Sequence, residues 1–115
     1  MSQQLEYVYE FGPFRIDALK RVLMREGEMV PLTSKSLDTL LVLVEHRGQV
    51  VSKDDLMKTL WPDTVVEENN LTQQISMLRK ALGERANEHR YVVTVPGRGY
   101  SFVAEVRLHR NGDLR

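Results

Sequence analysis

Fourteen consecutive residues, 69–82, contain no aspartate or glutamate, yet they carry Gln73, Gln74, Ser76, Arg79 and Lys80. Amides and a hydroxyl can donate to and accept from polar edges, and two cations can neutralise phosphate with no carboxylate nearby to repel it. A second group, Pro96-Gly97-Arg98-Gly99, places one guanidinium between two glycines. A backbone without side chains on either side of Arg98 can press closely against a neighbouring surface. Other chemistry has little support. His46, His89 and His109 show no ligand spacing, and there is no nucleophile elbow or HExxH. Gly97-Arg98-Gly99 follows a strand pattern without opening a helix, so it is not a nucleotide fingerprint. With zero cysteines, disulfides, thiol catalysis and thiolate metal sites are ruled out. The expectation is a non-enzyme with no cofactor and no metal.

The elements around these groups follow from periodicity. Leu71, Ile75, Leu78 and Leu82 are spaced four, three and four, which at about 100° per residue makes one buried stripe. Gln73, Ser76, Met77 and Lys80 then occupy the opposite face, flanked by Thr72, Gln74 and Arg79. This helix is expected from Asn69-Asn70 to Leu82, with Gly83 just past its end. Before it, Ser52-Lys53-Asp54-Asp55 outlines a capping box opening a helix through Leu56, Leu60 and Trp61, which Pro62 closes. An acidic loop, residues 63–68, joins the two. Leu37, Leu40, Leu41 and Val44 mark an earlier helix, with Thr33 or Ser34 as cap and His46-Arg47-Gly48 as a cationic last turn and stop.

Residues 7–32 alternate between apolar strands and turn formers and read as a small antiparallel meander of four strands. Gln49-Val50-Val51 reads as a short extended link. Tyr91–Val95 and Tyr100–Val106 read as a hairpin around the 96–99 turn. Residues 107–115 read as a polar tail or the start of a linker, leaving 1–106 as one domain.

Length and composition agree. A chain of 115 residues supports one core, and 42% hydrophobic with 28% charged residues matches an ordinary globular protein. The longest apolar run, Leu40 to Val44, is far below the roughly 20 residues needed to cross a bilayer. The first residues lack a secretory signal pattern, so a reducing cytoplasm is the expected compartment. Net charge is zero, from 16 basic and 16 acidic residues. It is unevenly spread. Residues 36–69 sum to −4 (3 basic, 7 acidic) and residues 70–110 to +4 (7 basic, 3 acidic), so a basic face can meet an anionic partner within a Debye length of about 8 Å.

Three helices, the last acid-free on its outer face, followed by a hairpin with a cationic tip, suit reading of a DNA groove. The sequence resembles the winged helix-turn-helix DNA-binding domain of the OmpR/PhoB type, found in bacterial response regulators of two-component signalling and in ToxR- and CadC-like regulators. The resemblance rests on Leu32-Thr33, Gly48 to Ser52, Leu56 to Trp61, Asn70-Leu71 through Leu78 to Leu82, and Val93 to Phe102. It covers roughly residues 7–106. It implies an α+β fold with an N-terminal four-stranded antiparallel sheet, a three-helix core and a C-terminal β-hairpin wing.

The resemblance also implies base contacts at Gln73, Gln74 and Met77 and phosphate contacts at Trp61, Asn69, Ser76, Arg79, Thr94 and Tyr100. Lys80 and Arg98 join them from the residue reading. Many relatives carry arginine or histidine where Gln74, Ser76 and Met77 stand, and place the minor-groove arginine where Pro96 stands, leaving Arg98 as the substitute. In that family the acidic loop, here Asp63, Glu67 and Glu68, can touch RNA polymerase. Two copies on a repeat are expected, because one module buries only about 600–1,000 Å². Glutamines suggest an adenine preference by bidentate pairing.

Plainer roles stand beside these. Gln73 could complete a capping box with Asn70, Met77 could meet another subunit, Arg79 could pair with a carboxylate, and Trp61 and Tyr100 could pack inward. A protein-interaction module without DNA binding is the alternative function. If the chain is complete, with no receiver domain before residue 1, the activating signal is expected from elsewhere; if it is a fragment, the tail after Val106 is expected to lead to a sensor or membrane segment.

Overall fold

Apolar residues recurring at every second position over 7–30 and again in the wing, and at every third or fourth in the helices between, produce an α+β chain. The computed structural model describes residues 7–85 and 88–110. In order along the chain are β1 (Tyr7–Phe11), β2 (Phe14–Asp17), β3 (Val22–Arg25), β4 (Glu28–Val30), α1 (Ser34–Glu45), β5 (Val50–Ser52), α2 (Lys53–Leu60), α3 (Glu68–Ala81), β6 (Val92–Val95), β7 (Gly99–Phe102) and β8 (Arg107–Arg110).

The meander forms as expected, with Tyr9, Ile16, Leu23 and Val30 in register across β1 to β4 and facing the core. Glu26 and Gly27 both take positive φ in the β3–β4 turn, the backbone that a two-residue hairpin with right-handed twist requires. The sheet differs from expectation in having a fifth strand. Among the described residues its order is β4-β3-β2-β1-β8. Arg107–Arg110, read from sequence as tail, pairs antiparallel with β1. An edge strand needs little apolar content, and here Leu108 alone lies opposite Tyr9 while His109 bonds Glu10 at 2.8 Å, so no alternating pattern marks it. The rest of the expected tail, 111–115, lies outside the described residues.

The supposed link at residues 49–51 is also largely a strand. Val50–Ser52 pairs with β7, which is the centre of a three-stranded sheet, β5-β7-β6. The wing strands stop at Val92 and Phe102, shorter than expected, and Val103 donates its N–H back to the Tyr91 carbonyl at 2.8 Å. The rings of Phe11, Phe14, Tyr91 and Phe102, with centroids 4.9 to 6.4 Å apart, join the two sheets.

Thr33 caps α1, its hydroxyl accepting from Ser36 N–H at 3.1 Å, and Ser52 caps α2 in the same way from Asp55 N–H at 3.0 Å. The cations expected in the last turn of α1 lie just beyond it, with His46 as cap residue, although Arg47 still donates to the Val44 carbonyl at 3.0 Å. The third helix begins at Glu68, earlier than Asn69-Asn70, with Glu67 at the cap position and no side-chain cap bond. Asn70 is therefore already helical. Its backbone and side-chain N–H groups both go to the Glu67 carbonyl, so the Asn70–Gln73 capping box does not form.

At the other end Gly83 takes φ +71°, and two bonds, Gly83 N–H to Lys80 O at 3.1 Å and Glu84 N–H to Arg79 O at 2.9 Å, close a Schellman motif. Leu71, Ile75 and Leu78 are at most 1% exposed and face α1 and α2.

Candidate nucleic-acid interface

Burying the leucine stripe of α3 turns Asn69, Thr72, Gln73, Ser76, Met77 and Lys80 to solvent. Beside this face, Thr72, Ser76, Arg79, Lys80, Thr94 and Tyr100 line an open groove of about 560 Å³ between α3 and the wing, together with Ile75 and Glu84. Five residues picked from sequence, Ser76, Arg79, Lys80, Thr94 and Tyr100, thus come together in one place.

Within it the roles separate. Lys80 is exposed, and its ammonium has no hydrogen bond or ion pair among the described residues. Thr94 is exposed while Tyr100 is 5% exposed, its ring packed into the core. Among the described residues Arg79 meets no carboxylate. Its Nε and Nη2 donate to the Val92 carbonyl at 3.2 and 3.1 Å, and Nη2 also donates to the Thr94 hydroxyl at 2.8 Å. One nitrogen, Nη1, remains to face an anion.

Gln74 is half-buried, and its carbonyl accepts from the Ser36 hydroxyl at 2.7 Å, so only part of this side chain is available outside. Met77 is 41% exposed and borders a second, apolar groove with Pro31, Leu32, Thr33, Lys80 and Ala81.

The wing tip is built by a type II turn. Pro96 and Gly97, with φ +72°, bring Arg98 N–H to Val95 O at 3.0 Å. Lys53 N–H at the start of α2 donates to the Arg98 carbonyl at 3.3 Å, which ties the tip to the helical body and leaves its guanidinium exposed. Gly99 allows this closeness, since a Cβ there would lie 2.0 Å from the Val51 carbonyl oxygen.

Trp61, at the end of α2, is half-buried against the core, with the Lys35 ammonium 5.5 Å from its ring centroid. Lys35 also donates to the Leu60 carbonyl. In the acidic loop Asp63 and Glu67 are exposed, whereas Glu68 belongs to the first turn of α3 and pairs with Lys53 at 3.1 Å. Val65 between them is fully exposed.

With this geometry in place, residues 27–102 match the family described as "Transcriptional regulatory protein, C terminal". The chain belongs to that family. Members similar to it include the transcriptional activator CadC of Escherichia coli, 34% identical over 100 residues, and the transcriptional regulator HilA of Salmonella typhimurium, 40% identical over 80. These alignments cover 86% and 70% of the chain but only 20% and 14% of the relatives.

Among solved structures of the family's fold, the DNA-binding domain of E. coli CadC superimposes with a TM-score of 0.78 at 30% identity, covering 89% of the chain and 96% of that domain. The Klebsiella pneumoniae RstA DNA-binding domain, solved in complex with the RstA box, gives 0.74 at 33% identity, covering 84% and 96%. The Thermotoga maritima response regulator DrrB, an OmpR/PhoB homologue, gives 0.77 at 33%, covering 84% and 44%. The winged helix-turn-helix architecture is thereby established.

Three residues that sequence reasoning passed over shape the surroundings of these candidate residues. Ser36 orients Gln74, Lys35 covers Trp61, and Glu84 receives three backbone N–H groups. Ser36 and Lys35 lie on the polar start of α1, and the acidic Glu84 sits just past a helix end, where a charge ordinarily reads as solvated. Among the described residues no group of His, Asp or Glu is arranged to hold a metal, and no helix is long and apolar enough to cross a membrane.

Proposed function

We propose that the chain is the sequence-specific DNA-binding unit of a bacterial transcription regulator, with α3 docked in a major groove and the 96–99 tip at an adjacent groove or sugar-phosphate strand. The observation that supports this reading is the run of exposed α3 residues beside the Arg79–Lys80–Thr94 groove, with exposed Arg98 on the turn that follows the Thr94 strand and Glu68 paired with Lys53. Gln73 and Met77 then face base edges. Asn69, Ser76, Arg79, Lys80, Thr94 and the Tyr100 hydroxyl serve the phosphates, and Trp61 stands at the far end of α2 with Lys35 as its cationic neighbour. Gln74 contributes only its amide nitrogen.

Two copies bind a direct or inverted repeat, and the unit works in the cytoplasm where the chromosome lies. The loop carrying Asp63, Val65 and Glu67 presents an apolar tip between carboxylates, a surface suited to RNA polymerase.

Selection of bound sequences from random duplexes, followed by a salt titration on the winner, tests the reading. Affinity should fall steeply with salt, and Lys80→Ala with Arg98→Ala should flatten the slope by about two counterions. Binding that ignores salt, or no enrichment of any duplex, would count against it.

A further inference from the structure

Val92 opens β6, the outer strand of the β5-β7-β6 sheet; it lies opposite Phe102 of β7, and on its other side no strand pairs with it among the described residues. It is 1% exposed, so both of its backbone groups need partners. Both partners are side chains at or just past the end of α3. Arg79 donates twice to the Val92 carbonyl, and the Glu84 carboxylate accepts from Val92 N–H at 3.1 Å. The other oxygen of Glu84 accepts from the N–H groups of Arg90 and Tyr91 at 2.6 and 2.7 Å. The Schellman bond from Glu84 N–H to Arg79 O holds the two grips side by side. One peptide segment is thus held from both directions by a helix terminus, through charged groups whose hydrogen bonds are the strong ones.

We infer that Glu84 is a positioning residue of the DNA interface, which with Arg79 fixes the wing, and so Arg98, at one distance and angle from α3. This rests on the docking proposed above. Glu84 is 7% exposed and carries the charge that DNA repels, so it contacts no phosphate itself. On charge alone its removal beside a polyanion strengthens binding. As a positioning group its removal weakens binding, by uncoupling the wing from the helix.

The test is a double-mutant cycle on the selected duplex, using the full chain with Glu84→Ala, Glu84→Gln, Arg98→Ala and the two combinations. Hydrogen exchange at the Arg90, Tyr91 and Val92 amides is followed in parallel. Glu84→Gln has nearly the same shape and retains one acceptor oxygen, so it serves where the alanine variant unfolds.

Arg98→Ala should weaken the unaltered chain roughly three- to tenfold more than it weakens the Glu84→Ala chain, with Glu84→Gln in between. Exchange at the three amides should quicken while the base preference read by α3 stays the same. Independent, multiplying losses in Kd from a folded Glu84 variant, or tighter binding, would overturn the inference and leave the docking proposal standing. Failure of the unaltered chain to bind any duplex would remove both.

Discussion

The hydroxyl of Ser36, on α1 and fully buried, donates to the side-chain carbonyl of Gln74 on α3 at 2.7 Å. Ser36 in turn accepts from the Thr33 hydroxyl at 3.0 Å, so a chain of hydrogen bonds runs from the cap of α1 to a side chain of α3. With its carbonyl turned inward, Gln74 would, in the proposed docking, offer a base edge its N–H donors and not the donor–acceptor pair that recognises adenine. Under that proposal bidentate adenine reading falls to Gln73, which is exposed.

Ser36→Ala should cost about 1–2 kcal/mol, because it leaves the Gln74 carbonyl and the Thr33 hydroxyl without their partner. Urea unfolding measures this. In the same variant Gln74 is free to rotate, and repeated duplex selection should show altered selectivity at one base pair while the others persist. An unchanged selection profile would mean that the Ser36 bond does not set the reading chemistry of Gln74.

Leu78→Ala and Met77→Ala separate the two faces of α3. Leu78 is fully buried and should cost about 2–5 kcal/mol. Met77, its neighbour, should change stability by less than about 0.5 kcal/mol. Thermal melts of the two variants check the contrast.

Two glycines should respond for different reasons. Gly83→Ala meets open space apart from a contact of 3.6 Å with Arg25, so its cost is that of φ +71°, about 1 kcal/mol. Gly99→Ala drives a methyl into the Val51 carbonyl and should cost at least about 3 kcal/mol or prevent folding. Denaturant midpoints should rank them in that order.

Acid should weaken the attachment of β8. Hydrogen bonds from Arg15 first, and then His109, hold the Glu10 carboxyl below its ordinary value of 4.5. A folded value below the unfolded one means that Glu10 contributes stability above pH 4.5 and loses it as pH falls through the folded value. Glu10→Gln should therefore be less stable than the parent near neutrality, by about 0.5–1 kcal/mol. The gap should close in acid. Paired melts across that range, read with exchange at the β8 amides, test it; a constant gap would contradict the assignment.

Much of this architecture was legible because strong periodicity and turn chemistry are local. The α3 stripe, the Thr33 and Ser52 caps, and the Pro96-Gly97 turn needed no distant information. What was missed depends on partners far along the chain. Arg107–Arg110 becomes a strand only because Glu10 and Tyr9 wait across a gap of about a hundred residues. Val50–Ser52 becomes one only because Gly99 lets its backbone in. For the interface, sequence named the residues that gather around the α3 groove, but not that Arg79 is largely committed to Val92 or Gln74 to Ser36. A guanidinium or an amide looks alike in sequence whether it faces inward or outward.

Tyr7 and Arg110 stand opposite each other on the β1–β8 ladder. Polypeptide fused ahead of the first or behind the second therefore departs from a single spot. A domain tethered closely before Tyr7 or after Arg110 would enter the fold at the same edge of the sheet, whichever side it joined.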